Sequence, residues 1–299
     1  MRLNKLTLRD KKVFKQFLNL NTHELSVYAF ENIYIWKGLF DINWMVLEDN
    51  LCIFFRDKVG SFLYLAPLGN TKNPEVTKKA FEIMDKFNKN KEISRIENIG
   101  EKDVYFYRGL GLDCRIKSYD YLCLREDLAN LKGNKFKSKR ACFNYFTRHY
   151  VYEYLPFALR YRNDCLKLYN LWREGRRRRN QNHIYQGMLD DSLSSLVVLL
   201  NHYRKLDIIG RVVKIDKEIK AFTFGFKLNP HTFCVLYEIT DLSIRGLAQF
   251  IFRSCCEELK DYKYINIMDD CGLANLKQVK LSYRPARLLP AYIAKRKSE

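Results

Sequence analysis

The stretch YINIMDDCGLANLKQVKLSYRPAR, residues 264–287, decides how the chain is to be read. Tyr264, Ile265, Asn266 and Ile267 alternate as a strand does. The chain then turns through Asp269, Asp270 and Gly272. Leu273, Leu276 and Val279 recur at three-residue spacing and predict a short helix with one apolar face. Tyr283, Arg284 and Pro285 end it, because proline drives the residue before it out of helical geometry. A closing strand is expected over 288–294. Strand, acidic turn, a helix bearing Lys277 and Lys280, and strand together present acidic and basic groups at one end of a sheet. The rest of the chain is expected to build a pocket beside this unit.

Upstream, helices are expected over 6–20 and 24–37, the second capped by Asn21 and Thr22. A hairpin follows over 43–47 and 51–55, turning through Glu48, Asp49 and Asn50. Then come a strand over 61–67, a helix over 76–87, a short strand over 93–96, a short helix over 103–109 and an aromatic-rich strand over 117–124. Helices over 161–178 and 189–203 open the second half. A hairpin over 208–215 and 219–226, a strand over 233–239 and a helix over 244–259 lead into the opening stretch. Both halves read helices, hairpin, strand, helix, strand, helix, strand, so two similar α+β units in tandem are expected, with mixed sheets flanked by helices. The boundaries are 1–130, a basic connecting helix over 131–150, and 151–299.

A chain of 299 residues that is 47% hydrophobic supports a real core and excludes disorder. The formal net charge of +19, from 53 Lys and Arg against 34 Asp and Glu, points to an anionic partner, either nucleic acid or an acidic membrane surface. The nine Cys include no Cys-x-x-Cys pair and read as reduced, mostly buried thiols of a cytoplasmic protein. The first residues, MRLNKLTLRDKKVF, hold no apolar signal segment, and no apolar run reaches spanning length, so membrane contact is expected to be peripheral. No metal site is evident.

The connecting segment, LKGNKFKSKRACFNYFTRHY, places Phe136, Phe143, Phe146 and Tyr150 on one helical face. Lys132, Lys135, Lys139 and Arg148 are expected mainly away from that face, with Arg140 at its edge. It is either a solvated bridge or a phosphate-binding strip. Arg176, Arg177, Arg178 and Arg179 form the strongest local charge run. Their forks suit phosphates, and with Lys135, Lys139 and Arg140 they make a candidate track for tRNA or anionic headgroups. Alternatively, Glu174 and nearby acids neutralise them.

These residues resemble the phosphatidylglycerol lysyltransferase C-terminal domain family, a tandem-GNAT group related to the Fem-like aminoacyl transferases. The likeness covers nearly the whole chain. It runs through Leu25-Ser26-Val27-Tyr28-Ala29-Phe30 with Trp36, Ala66-Pro67-Leu68-Gly69, Tyr119-Asp120-Tyr121 and Leu128-Ala129-Asn130-Leu131. It continues through Gly133-Asn134-Lys135-Phe136, Ala221-Phe222-Thr223-Phe224-Gly225, Tyr237-Glu238, Asp270 with Gly272, and Lys280-Leu281-Ser282-Tyr283 before Pro285. The resemblance implies two GNAT-type units sharing one pocket, and transfer of an aminoacyl group from aminoacyl-tRNA, to phosphatidylglycerol in the lipid-modifying relatives. The family often carries Glu-Lys where this chain has Glu238-Ile239, and Asn-Arg-Glu where it has Asn266-Ile267-Met268.

Acyl transfer needs a nucleophile, a group to take its proton, and donors for the oxyanion. In a GNAT-like sheet the oxyanion donor is a backbone N–H where two central strands splay. Glu238, at the end of a predicted central strand, is the candidate general base or an anchor for an ammonium group. Asp269 and Tyr283 complete the candidate catalytic set. Asn266, Asp270, Lys277 and Lys280 are candidate substrate contacts, although one of Asp269 and Asp270 is expected to cap the following helix. No tightly bound cofactor is expected. The donor is aminoacyl-tRNA or acyl-CoA, and the acceptor an anionic phospholipid or a small amine. The CoA alternative is weakened because Ser243-Ile244-Arg245-Gly246-Leu247-Ala248 matches a pyrophosphate loop only in part. A non-enzymatic module of the same fold that holds RNA or membrane is the rival reading.

Overall fold

The computed structural model describes residues 3–297; Met1, Arg2, Ser298 and Glu299 lie outside the described residues. The chain divides into two compact units. The first holds the residues up to Asp120, with Asp269–Leu273 and the chain from Leu288 onward. The second holds Tyr121–Met268 and Ala274–Arg287. The first division therefore falls inside a strand, at Asp120, ten residues before the boundary expected from sequence. The basic connecting helix is part of the second unit, and the last strand returns to the first.

In the first unit, β1 (Asn4–Lys5) precedes α1 (Lys11–Leu18). The expected helix starts late because Thr7 and Asp10 form a capping box, with the Thr7 N–H donating to the Asp10 carboxylate at 2.7 Å. The helix expected over 24–37 shrinks to α2 (Phe30–Ile35). The segment before it is tied elsewhere: the Ser26 N–H donates to the Asp120 carboxylate at 2.6 Å, and the Tyr28 hydroxyl to the Asn98 carbonyl at 2.9 Å. β2 (Asp41–Leu47) and β3 (Asn50–Arg56) form the expected hairpin. Its turn residues Glu48 and Asp49 have φ of 44° and 59°, the left-handed pair that matches strand twist in a two-residue loop. β4 (Ser61–Leu63), α3 (Pro74–Phe87), β5 (Arg95–Gly100), α4 (Val104–Gly109) and β6 (Asp113–Leu124) follow. Asn73 caps α3 and Pro74 sits at its first position, where a missing N–H costs nothing.

The second unit takes up the chain at Tyr121, within β6. It contains α5 (Arg125–Asn130), α6 (Lys137–His149), β7 (Glu153–Pro156), α7 (Arg162–Arg179) and α8 (His183–His202). β8 (Ile208–Ile215) and β9 (Glu218–Asn229) pair through Asp216 and Lys217, again both left-handed, at φ of 49° and 66°. β10 (Thr232–Thr240), α9 (Leu247–Glu258), β11 (Tyr264–Asn266) and α10 (Ala274–Leu281) complete it. β12 (Arg287–Lys295) pairs antiparallel with β5, which is why its end belongs to the first unit. Strand order is β1-β2-β3-β4-β5-β12 in the first unit and β6-β11-β10-β9-β8-β7 in the second.

Two apolar clusters organise the second unit. One packs Tyr121, Cys123, Phe233, Phe252, Cys256 and Tyr283 between strands, α5 and α9. The other seats α6 through Phe146 on Val213, Ala221, Leu247 and Phe250. The expected apolar face of α10 does not reach either: the helix buries none of its residues, and Val279 is 51% exposed. Three-residue spacing in so short a helix leaves the face to whatever tertiary partner exists. Among the described residues no helix is long and apolar enough to cross a membrane.

Candidate active site in the second unit

Parallel strands β10 and β11 pair only from Thr232–Tyr264 to Cys234–Asn266. β10 continues to Thr240, with an irregularity in its pairing to β9 between Val235 and Tyr237. β10 therefore runs on past its parallel neighbour, and Glu238 lies four residues beyond the last paired position. The bulge re-aims the strand, as bulges beside functional sites do. Adjacent side chains point to opposite faces. Tyr237 turns to α8, where its hydroxyl donates to the Ser192 carbonyl at 2.9 Å and meets Ser195 Oγ at 2.5 Å. Glu238 turns to the other face.

Glu238 is half-buried. Packing removes enough water from its carboxylate to push its pKa up to about 8, against the opposing pull of Lys139 and Lys280. A carboxyl poised there can take a proton from a nucleophile near neutral pH and return it. Lys139 acts on its charge from α6. Burial lowers the Lys139 pKa, and the Glu238 charge offsets part of that shift. The Lys139 ammonium stands 3.8 Å from the centre of the Tyr283 ring. This corrects the expectation that Lys139 lies away from the apolar face of α6. It is three residues after Phe136 and four before Phe143, so helical geometry puts it with them. That spacing was visible in the sequence.

Lys280, on α10, donates to the Ile267 carbonyl and lies 5.9 Å from the Tyr121 ring centre. Ile239 and Ile267 are buried, so the positions where the family often carries charge are apolar here, and Lys139 and Lys280 are the cations acting on Glu238. Tyr283 is buried, packs edge-on to Phe252 at 4.6 Å, and has its pKa raised well above the ordinary value by burial and then by Glu238. It forms a wall and a cation–π seat for Lys139.

The remaining candidates are dispersed. Asn266 is fully buried, and its Oδ1 accepts from the Met268 N–H at 2.7 Å, holding that residue at φ 61°. Lys277 is exposed on α10, so its spacing from Lys280 does not bring it to Glu238. Asp269 and Asp270 fall in the first unit. Asp270 makes the turn before α10, accepting from the Gly272 N–H at 2.9 Å, while Asp269 accepts from the Cys271 thiol at 3.5 Å. Lys135 is paired with Asp127 at 2.7 Å. Arg140 donates to the carbonyls of Leu131 and Gly133, tying down the left-handed turn before α6. Arg177 and Arg173 share Asp190 on α8 at 2.6 and 2.8 Å, so the neutralising acid is Asp190 rather than Glu174. Arg178 and Arg179 are exposed at the end of α7.

The first unit has the corresponding strand pair but fills it. β4 and β5 pair in parallel at Leu63 and Ile96, and beyond them Asn98 Nδ2 donates to the Tyr64 carbonyl at 2.9 Å. Glu97 beside it is spent. Burial raises its pKa, but Lys117 at 2.6 Å and Arg95 at 2.7 Å hold it below the ordinary value. A surface cavity of about 310 Å³ in this unit is lined by Lys5, Lys37 and Asp41, and Asp41 is already bound by Arg56 at 2.6 Å, so it carries no chemistry. Among the described residues no group of three or more His, Cys, Asp or Glu is placed to hold a metal ion.

The start of α9 is where a pyrophosphate loop would lie. Gly246 has φ of 85°, and a Cβ there would stand 2.2 Å from the Cys142 carbonyl oxygen of α6 and 3.0 Å from Phe146. Arg245 and Arg253 are laid over the α6 rings of Tyr145 and Phe143 at 4.5 and 4.1 Å. Helix α6 occupies the space in front of this helix end.

The sequence profile of the phosphatidylglycerol lysyltransferase C-terminal family matches residues 19–295. No curated protein matches the sequence. Among solved structures the chain is similar to a conserved protein of unknown function from Bacteroides thetaiotaomicron, at 28% identity and a TM-score of 0.88, with 99% of this chain and 100% of that one covered. It is similar to the L-PGS of Bacillus licheniformis at 16% identity and a TM-score of 0.65, covering 97% and 93%. It is also similar to a tandem GNAT protein from the clavulanic acid biosynthesis pathway at 9% identity and a TM-score of 0.51, covering 100% and 99%. The last two likenesses bear on fold alone, and the fold they indicate is two GNAT-like α+β units in tandem, as expected from the sequence.

Proposed function

The chain belongs to the phosphatidylglycerol lysyltransferase C-terminal family, and from that membership we propose that it is an acyltransferase that moves an aminoacyl group from aminoacyl-tRNA to an acceptor nucleophile. The observation that carries this reading is Glu238, set beyond the paired part of β10 with its pKa near 8 and two lysines acting on it. Glu238 takes the proton as the acceptor's hydroxyl or amine attacks the ester carbonyl. The bond to the terminal ribose oxygen breaks, and that oxygen leaves with a proton. A splayed strand edge supplies backbone N–H groups for the oxyanion. Support for aminoacyl-tRNA over acyl-CoA comes from α6, whose backbone crowds the helix end that would cradle pyrophosphate.

The test incubates the purified protein with tRNA charged with a radiolabelled amino-acid mixture, together with phosphatidylglycerol vesicles or a pool of small amines. Label is expected to leave tRNA for an acceptor faster than spontaneous hydrolysis, and Glu238→Gln is expected to lower that rate by about 10²-fold or more. An unchanged rate in the folded variant removes Glu238 as base. Transfer from acetyl-CoA with none from tRNA overturns the donor assignment.

A further inference from the structure

Strand β10 reaches Glu238 through a bulge, and side chains that the proposed transfer does not use close on the residue just before it. Val235 is paired with Gly225 and Tyr237 with Phe224, so Leu236 is the extra residue on β10 and the strand bends there. Past the bulge Glu238 stands directly opposite Thr223 of β9, and residues directly opposite one another in an antiparallel pair share a face. Thr223 is buried, and its hydroxyl does not go to its acidic neighbour. It donates to the Tyr237 carbonyl at 2.8 Å. The other end of Tyr237 is fixed as well, by the Ser192 carbonyl and Ser195 Oγ of α8. The residue before Glu238 is therefore held at its carbonyl from β9 and at its hydroxyl from α8.

We infer that Thr223 is a positioning residue, whose bond to the Tyr237 carbonyl fixes the bulge and with it the aim of the Glu238 carboxyl. A bulge disrupts the ladder locally, so the strand direction there needs a hold beyond backbone pairing. The Tyr237 carbonyl belongs to the peptide that leads into Glu238, and turning that peptide swings the carboxyl away from its place. A hydroxyl carries one proton. Spent on the carbonyl, it is withheld from the carboxylate, where a donor would favour the charged form. Thr223 thus holds Glu238 without lowering its affinity for a proton. The catalytic consequence rests on Glu238 being the base of the proposed transfer; the positioning itself does not.

The test compares Thr223→Val, which keeps the branched shape and removes the donor, with Thr223→Ser, which keeps the donor, and with Thr232→Val, a change at a threonine of β10 that is equally buried. Thr223→Ala stands in should the valine variant not fold. Steady-state transfer from charged tRNA is expected to show kcat lowered by about 10- to 100-fold in Thr223→Val with KM within about threefold, because a misplaced base slows the chemical step without weakening binding. Thr223→Ser and Thr232→Val are expected to stay within about threefold of the parent. A second arm needs no turnover. The pH dependence of stability that Glu238→Gln removes is measured by urea unfolding from pH 5 to 8, with Thr223 in place and again in the Thr223→Val background. Loss of the threonine lets the carboxyl turn toward water, so the rise across that range is expected to fall to less than half. An unchanged rise overturns the inference, as does a rise already absent with Thr223 in place. So does a slow Thr223→Val that serine does not rescue or that Thr232→Val matches. Full activity of Thr223→Val beside a slow Glu238→Gln removes the positioning role and leaves the base. Full activity of Glu238→Gln removes the base, and the unfolding arm then still decides whether Thr223 aims the carboxyl.

Discussion

Replacing Glu238 with Gln tests the environment on which the catalytic reading depends. Packing pushes the carboxyl up from 4.5 to about 8 in the folded chain, while in the unfolded chain it ionises near its ordinary value. Between those limits the folded state binds more protons than the unfolded one, so Glu238 makes stability fall as pH rises. At about 1.4 kcal/mol per pH unit the ceiling is about 5 kcal/mol. Because the residue keeps part of its surface in water, roughly half of that, about 2–3 kcal/mol, is the working figure. Gln has nearly the same shape and does not ionise. Relative to the natural chain, the variant should gain stability steadily from pH 5 to about pH 8 and then run parallel. Urea unfolding at half-unit pH intervals, followed by circular dichroism and read as variant minus parent, isolates the effect even if the two units unfold separately. Lys139, with its pKa lowered, acts in the opposite sense as pH approaches 10.5, so the series stops at pH 9. A difference curve flat to within about 0.5 kcal/mol from pH 5 to 9 would refute the argument. The carboxylate would then be solvated and ionised at neutral pH.

Other outcomes follow from the same structure. His23 stacks on Tyr28 at 4.2 Å, and burial, then Lys102, lowers its pKa to about 4. Its contribution is therefore lost as pH falls from 6.5 towards 4, by about 1–3 kcal/mol, and His23→Phe should remove that slope from the acid-unfolding profile. Gly246→Ala should destabilise by about 2 kcal/mol or more, because a left-handed φ and a Cβ at 2.2 Å from the Cys142 oxygen cannot both be relieved; chemical denaturation measures it. Phe146 is fully buried, with ring centres of Tyr150, Tyr152 and Phe250 within 5.2 Å, so Phe146→Ala should cost about 3–5 kcal/mol in urea unfolding.

Much of the architecture was legible because local rules decided it. The two hairpins turn at Glu48-Asp49 and Asp216-Lys217, each with one Asp that accepts left-handed backbone more readily than most residues, between runs of apolar alternation. The helix expected over 76–87 is α3, which the Asn73 cap and Pro74 begin two residues earlier, and α6 announced itself through its aromatic periodicity. The segment before α2 was misread as helix because its bonds go to Asp120 and Asn98, 94 and 70 residues away along the chain. No local signal encodes such a partner. Of the site, Glu238 was singled out by its place at a strand end, and Lys139 by its charge, although its direction was taken wrongly.

The amino-acid sequence alone determined the order of elements, the cationic excess and the family likeness, since these depend on residue type and on spacing along the chain. Tertiary structure decided which charged groups face one another. It turned Lys139 inward onto Tyr283, set Asp190 between two arginines, closed the first unit's strand gap with Asn98, and placed α6 against the start of α9. A pKa, an ion pair or a blocked helix end depends on distances through space between residues far apart in the chain, and those distances come into being only when the strands are paired and the helices packed on them.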